Sequence, residues 1–352
     1  MKLGVARRCL FLLSGEHESL PLAELRAALE AQDAHYEMLE RRDRLVLLDV
    51  DPGDAAIATA RSALVDWAQE VLLETEAREP QILKAVEQVD FSKYLAHGSH
   101  FGVRVTHVGP GLQRSPVEGL QEEIGSRIWR SAKGEAKVDL RQPDRLFLGV
   151  LQENRFLLGI YLASRDRQGF AARRSPRRPF FIPSAMHPKT ARVMVNLART
   201  RPGETFLDPF CGTGGLLLEA AGVGGLPIGS DIDLQILSGC RQNLGHYGIT
   251  FLGLRADARF APVRSETVCA IATDPPYGRA SSTKGAQVAN LIRESLSSLA
   301  DVLNRKGYLC FAAPLQTFDK DLLAATDFSI IEAHTMRVHR SLSRHILVLQ
   351  RR

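Results

Sequence analysis

Cysteine, long apolar runs and an excess of one charge are all scarce in this 352-residue chain, and each scarcity removes a class of protein. The five cysteines (Cys9, Cys211, Cys240, Cys269, Cys310) are scattered and odd in number, and none forms a C-x-x-C pair. Neither a disulfide framework nor a zinc site is indicated, and a reducing cytoplasm is the expected setting. No apolar run approaches the roughly 18 residues of a membrane helix, so no membrane partner is expected. Residues 9–13, after Lys2, Arg7 and Arg8, are too few for a secretory signal and are closed by Ser14-Gly15-Glu16. Internal repeats and low-complexity segments are absent. Against 40 acidic residues stand 45 basic ones, a net charge of +5 with a pI near 9.0. That balance permits a nucleic-acid partner without requiring one. What remains is an ordinary globular composition, 45% hydrophobic and 24% charged. The length suits two or three domains of roughly 100–200 residues each.

Short strands alternate with helices up to about residue 165. Residues 8–14 read as a strand, 20–31 as an amphipathic helix with Leu22, Leu25, Ala28 and Leu29 on one face, and 44–50 as a strand ended by the turn signal Asp51-Pro52-Gly53. A helix at 80–89, a strand at 101–108 and a helix at 116–132 follow. Strands at 146–151 and 156–163, joined across Gln152-Glu153-Asn154-Arg155, read as a hairpin. His97, His100 and His107 lie close together without a cysteine or carboxylate cluster, and read as surface or packing residues. This half is therefore expected to bind rather than catalyse. The loop Gly109-Pro110-Gly111-Leu112-Gln113-Arg114-Ser115-Pro116, with Arg114 at its centre, precedes a helix N-terminus where phosphate oxygens settle well. Six arginines then crowd 165–179: Arg165, Arg167, Arg173, Arg174, Arg177 and Arg178, offset only by Asp166. Gly, Ser and Pro interrupt the run, so it is neither a clean helix nor a strand. Between a binding half and a catalytic half it is expected to contact phosphate, a solvated face being the alternative.

The chemistry lies in the C-terminal half. A helix at 188–198 is broken by Pro202-Gly203. The strand 205–208 then runs into Pro209-Phe210-Cys211-Gly212-Thr213-Gly214-Gly215 and a helix at 216–221. This is a strand, a Gly-rich turn where backbone can approach a ligand, and a helix. The strand 226–230 ends at Asp231, where a carboxylate can accept from a ribose diol. NAD and S-adenosylmethionine both carry that diol, so Asp231 does not choose between them. A strand at 249–254 leads to Asp257, placed to accept from an adenine amino group.

The apolar run 268–273 reads as a buried strand, and Asp274-Pro275-Pro276-Tyr277-Gly278 ends it. Two consecutive prolines have no N–H for a ladder. Asp274 is left at the strand's carboxyl end, the edge where ligands bind in open α/β sheets. A stiff turn presenting a carboxylate, carbonyls and a ring suits a flat hydrogen-bond donor such as the exocyclic amine of a nucleobase. A helix at 287–303 and strands at 307–313, 328–333 and 345–350 complete a seven-stranded, doubly wound α/β sheet with an antiparallel final strand.

Asp208-Pro209-Phe210-Cys211-Gly212-Thr213-Gly214 and Asp274-Pro275-Pro276-Tyr277 resemble the cofactor and catalytic motifs of class I S-adenosylmethionine-dependent amino-methyltransferases, which act on planar nitrogens. Arg177-Arg178-Pro179-Phe180-Phe181, Pro183-Ser184-Ala185-Met186-His187-Pro188 ahead of Asn196-Leu197-Ala198, and Gly229-Ser230-Asp231-Ile232-Asp233 resemble the THUMP-containing tRNA (guanine(10)-N2)-methyltransferase family. The likeness spans the chain and is sharper after Arg173.

The resemblance implies an α+β ferredoxin-like region over 1–60, a THUMP RNA-binding domain over 61–164, a basic linker over 165–183 and a Rossmann-like catalytic domain over 184–352. It implies S-adenosylmethionine as cofactor and no metal. Asp208, Pro209, Gly212, Gly214, Asp231, Ile232, Asp257, Ala258 and His187 would hold that cofactor. The implied partner is tRNA, met by Arg114, Arg173, Arg174, Arg177 and Arg178. A cytoplasmic monomer is expected, with a small activator subunit admitted but not required. Relatives that methylate guanine elsewhere in tRNA, or in ribosomal RNA, tend to carry Asn at the position of Asp274, which favours position 10.

The N2 amine of guanine is a poor nucleophile because its lone pair is delocalised into the ring. Asp274 and the Pro275 carbonyl are expected to accept its two protons, Pro276 to stiffen the turn, and Tyr277 to stack on the base. A carboxylate with an ordinary pKa of about 3.9 is a weak base, so orientation and charge stabilisation are expected rather than early proton abstraction. One methyl or two would be added. The alternatives are methylation of another tRNA guanine or of ribosomal RNA, and a non-catalytic RNA-binding protein.

Overall fold

The computed structural model describes residues 7–109, 117–133, 135–183, 185–276, 282–314, 326–339 and 342–352. In chain order the first elements are β1 (Arg7–Leu13), α1 (Leu20–Glu30), β2 (Tyr36–Arg42), β3 (Leu45–Val50), α2 (Pro52–Arg61), β4 (Val65–Glu76), α3 (Glu79–Glu87), β5 (His100–His107), α4 (Val117–Ser131), β6 (Lys137–Val138), β7 (Arg145–Gln152) and β8 (Arg155–Ser164). Then come α5 (Arg167–Ala172), α6 (Pro188–Leu197), β9 (Thr205–Asp208), α7 (Gly215–Gly222), β10 (Leu226–Asp231), α8 (Leu234–His246), β11 (Leu252–Arg255), β12 (Val268–Thr273), α9 (Ser282–Val302), β13 (Leu303–Pro314), β14 (Phe328–His339) and β15 (Leu342–Arg351). No helix among the described residues is long and apolar enough to cross a membrane.

The chain divides into two compact units. The first takes 7–15, Ala34–Ala60 and Val65–Arg165. Its eight-stranded sheet runs β2-β3-β1-β4-β8-β7-β5-β6. Strand β4 pairs antiparallel with both β1 and β8, so a single sheet carries the strands on either side of the boundary expected at residue 60. The sequence reading shows no strand there because Asp66, Gln69 and Glu70 interrupt the apolar pattern. All three are buried, and Asp66 is paired with Arg165 at 2.7 Å. Asp51-Pro52-Gly53 does not end at a turn but opens α2: Asp51 Oδ1 accepts from the amides of Gly53 (2.8 Å) and Asp54 (3.3 Å), and proline suits a first helical turn. Helices α3 and α4 cover one face through Ile82, Val86, Ile124 and Ile128 around Phe91, Phe101 and Phe147.

The second unit takes Glu16–Asp33, Arg61–Leu64 and Asp166–Arg352. Its sheet order is β11-β10-β9-β12-β13-β15-β14, with β15 antiparallel between β13 and β14. The remaining pairs are parallel. Strand order reverses at β9, and in such sheets ligands bind in the crevice beyond the carboxyl ends beside that point.

Helix α1 belongs to this unit, so the expected 1–60 region is not one body. Its Leu20, Ala23 and Ala27 enter the core that holds Met194 and Leu197. Glu24, fully buried, accepts from the amides of Ala63 and Leu64 and from Asn196 Nδ2, each at 2.8 Å. Arg61 donates to Asn196 Oδ1 (3.0 Å) and to the Thr200 carbonyl (2.7 Å). Burial raises the Glu24 pKa, and these hydrogen bonds oppose the rise. A buried carboxylate left without them would be costly, so the network fixes α1 where it lies.

Residues 165–183 are more ordered than a linker. Asp166 caps α5 by accepting from the Gly169 amide at 2.8 Å. The Asn243 side chain joins the backbone of Phe180 (2.9 Å in both directions) to the Thr213 carbonyl (3.0 Å). The segment is thereby anchored to the glycine turn.

Candidate active site

Three neighbouring strands end together. β9 closes at Asp208, β10 at Asp231, and β12 runs through Thr273 into Asp274. Their ends wall a cavity of about 540 Å³. Asp208, Pro209, Gly212, Asp231, Ile232, Asp257, Ala258, Asp274 and Pro276, all expected at the site, line it together. Met186, from the motif segment 183–188, also lines it, as do Arg259 and Leu291, which nothing in their sequence context marks.

The glycine turn is shaped by two left-handed residues, Gly212 (φ +51°) and Gly214 (φ +82°). A Cβ on Gly214 would stand 2.5 Å from Leu244 Cδ1 and 2.8 Å from Cys240 Sγ. This position therefore demands glycine on strain and on space alike. Gly214 caps α7 beneath the cavity rather than facing it. Asp231 holds the turn down: its Oδ2 accepts from the Gly212 amide (3.1 Å) and its Oδ1 from the Asp233 amide (3.0 Å). Each oxygen keeps a second lone pair for a ligand hydroxyl. The free Cys211 thiol is pushed up in pKa by its hydrogen bond with the Cys240 thiol and by burial, which leaves little reactive thiolate.

Asp208 is 1% exposed and accepts from the Thr273 hydroxyl (2.8 Å) and the Phe210 amide (3.2 Å). Burial pushes its pKa up to about 7, the two hydrogen bonds oppose that, and the charges of Asp274 and Asp231 add to it. Asp257 sits on Arg259 (2.6 Å), which holds its carboxyl below the usual range.

Asp274 is half-buried, and its Oδ2 accepts from Arg344 Nη1 at 2.7 Å. Arg344 lies on β15, seventy residues away, opposite Pro314 of β13. No short-range pattern signals this partner, since only the insertion of β15 beside β13 brings it to the turn at Asp274. Pro275 is buried behind the turn. Tyr277 and Arg114 lie outside the described residues.

Other expected residues are placed differently. His187 does not line this cavity; it caps α6, its Nδ1 accepting from the Lys189 amide at 3.3 Å. Of the four described arginines expected to meet phosphate, Arg174 and Arg177 are exposed. Arg173 is ion-paired with the fully buried Glu219 at 2.8 Å. Arg178 is 5% exposed, with its Nε donating to the Arg173 carbonyl at 3.0 Å. Arg173 is thus held within the fold, because burying an arginine requires a partner inside. Arg178 is also turned inward, its Nη1 and Nη2 buried with no hydrogen-bond partner among the described residues.

Comparison with known proteins agrees with this geometry. Residues 175–346 match the RMKL-like methyltransferase domain, and residues 76–161 match the THUMP domain. A tRNA (guanine(10)-N2)-dimethyltransferase from Methanothermobacter thermautotrophicus is 39% identical, over 97% of this chain and 98% of its own. One of the same name from Methanocaldococcus jannaschii is 33% identical, over 97% of this chain and 99% of its own. The crystal structure of TrmN from Thermus thermophilus superposes with a TM-score of 0.51 at 20% identity, over 98% of this chain and 100% of that one, which shows a shared fold. The chain thus belongs to the tRNA (guanine(10)-N2)-dimethyltransferase family, in which a THUMP domain precedes a methyltransferase domain.

Proposed function

We propose that this protein transfers methyl groups from S-adenosylmethionine to the exocyclic N2 of guanine 10 in tRNA, two in succession, the activity its relatives' names carry. The observation that carries the reading is Asp274: it lines the same cavity as the glycine turn and Asp231, so acceptor and cofactor sites share one wall.

The residues present fit the cofactor. The cavity's volume of about 540 Å³ falls within the roughly 300–1,000 Å³ of small-molecule sites. Among the described lining residues four carboxylates stand against Arg259, and with Arg344 on Asp274 the carboxylates still outnumber the arginines that meet them, which favours a cationic ligand. Asp231 would hold the ribose diol, and Ile232, 63% exposed at the rim, offers an apolar face to adenine. Bound there, S-adenosylmethionine supplies an electrophilic methyl group.

The chain's own part is orientation. In the first transfer Asp274 accepts a hydrogen bond from one N2–H of guanine and the Pro275 carbonyl from the other, which turns the nitrogen lone pair towards the donor. The one proton displaced by the new N–C bond is lost afterwards to solvent. Arg344 fixes the carboxylate's rotamer and balances its charge, so that Asp274 meets the base pre-set rather than searching for it. A paired guanine must first leave its stem at a cost of a few kcal/mol. Contacts from the THUMP domain, Arg174 and Arg177 to the tRNA body would offset that cost. Nucleotide mapping by mass spectrometry, on tRNA treated with the purified protein and cofactor, tests the reading. Dimethylguanosine at position 10 is expected. Methyl at another guanine would overturn the position, and none at all the activity.

A further inference from the structure

The catalytic unit has a second cleft, of about 330 Å³, whose charge is opposite to that of the first. Arg174, His187, Lys189, Arg337, His17 and Thr190 line it, with Glu16 as the one carboxylate among the described lining residues. Glu16 is taken up by Lys189 at 2.6 Å. His17 is fixed by its neighbours, its Nδ1 accepting from the amides of Ser19 (3.1 Å) and Leu20 (3.2 Å) and its Nε2 meeting the Thr335 carbonyl at 3.0 Å. Burial first, and then the charges of Arg174 and Lys189, lower the pKa of His187. With Nδ1 accepting from the Lys189 amide, the neutral ring carries its proton on Nε2 and remains a donor. The cleft is thus lined by cations and donors, the complement of an oxyanion.

Its position says which oxyanion. Ala185 and Met186 line the acidic cavity while His187 lines the basic cleft, so one turn of chain is the wall between them. On β15, Ile346 lines the cleft, and Arg344, two residues earlier on the same face, grips Asp274. Met336, directly across the ladder from Arg344, lines the cleft as well. Two residues of strand span about 7 Å, which brings the cleft beside the catalytic turn. A guanine reaching Asp274 brings its own phosphates, and the described carboxylates of the first cavity, more numerous than the arginines paired with them, repel those phosphates. The backbone must lie outside, and the adjoining cationic cleft attracts it.

We infer that this cleft seats the phosphate backbone of the nucleotides flanking the methylated guanine, an inference that rests on the reading of the chain as an RNA-base methyltransferase. It gives His187 a role in RNA placement instead of cofactor binding, and it separates Arg174 from its buried neighbours Arg173 and Arg178.

Arg174→Glu and Arg337→Glu alter exposed side chains, and His187→Asn keeps a good helix cap. Filter binding of tRNA across a range of potassium chloride reads each, with titration of S-adenosylhomocysteine as the check on folding. Each charge reversal should weaken tRNA binding about tenfold near 150 mM salt and reduce the log–log salt slope by about 1, with cofactor-product affinity unchanged. A tRNA carrying a neutral methylphosphonate beside the target guanine should bind wild type more weakly and erase the difference between wild type and variants. Unchanged slopes overturn the inference, as does a methylphosphonate without effect. Loss of inorganic phosphate binding with tRNA slopes intact would assign the cleft to a small phosphorylated ligand and overturn it too. Because binding is read without turnover, a wild-type chain that methylates no guanine would remove the functional reading while the slopes still decide the cleft.

Discussion

Two cavities share one wall in the catalytic unit, yet they are chemical opposites. Asp208, Asp231, Asp257 and Asp274 face the larger, and Arg174, Lys189 and Arg337 face the smaller. The difference teaches how such a site sorts a substrate that is itself divided into a neutral base and an anionic backbone. On the proposed reading, acidic walls would accept a cationic donor and an amine-bearing base and would turn phosphate away. Basic walls next door would take what is turned away. Arg344 bridges the two, standing on the strand that lines the cleft while its guanidinium holds the carboxylate of the cavity.

The largest test of that division is Asp274→Ala. Without the carboxylate we expect kcat to fall by about 10³, in the range that loss of one pre-set polar group costs, while tRNA affinity stays within twofold. Single-turnover methylation beside filter binding reads both, and turnover within tenfold of wild type would take the acceptor role from Asp274. Arg344→Met should lower kcat by about 10², as misplacement of a reacting group does, with little change in KM for tRNA. Arg344→Lys should recover part of it. A rise in KM alone would place Arg344 in the basic cleft instead. Asp231→Asn should weaken cofactor binding about tenfold, or ~1.4 kcal/mol, and leave tRNA affinity untouched, as calorimetry would show.

The smallest expected effect is one of pH. Asp208 is neutral below about pH 7 and charged above it, so a cationic cofactor should bind severalfold tighter at pH 8 than at pH 6. Asp208→Asn should flatten the difference. The sign for the fold is the reverse: with its pKa raised from 3.8, Asp208 favours the folded state fully below that value and loses the contribution as pH climbs to about 7. An affinity independent of pH in the wild type would take Asp208 out of the contrast.

Much of the larger cavity is legible in the chain, because its logic is local. Strand β12 spans the apolar run read as 268–273, since two prolines must end a ladder where they stand. Asp208, Asp231 and Asp274 meet because each is the last residue of a parallel strand or the first beyond it. The basic cleft is not legible. Its lining comes from positions 16–20, 64, 174, 187–194, 336–337 and 346, and no short-range pattern joins them.

By itself the sequence determined the seven-stranded class, the carboxyl-edge site and its acidic chemistry, all set by backbone geometry within a few residues of each motif. Only the tertiary structure decided which arginines are spent inside and which face solvent, where His187 points its chemistry, and that α1 packs with the catalytic unit. An amphipathic helix announces that it has an apolar face, not which surface the face will cover. The register of 20–31 names Leu22, Leu25, Ala28 and Leu29; that Leu20, Ala23 and Ala27 enter the core with Met194 is seen only once the carboxylate of Glu24 is closed on Ala63, Leu64 and Asn196.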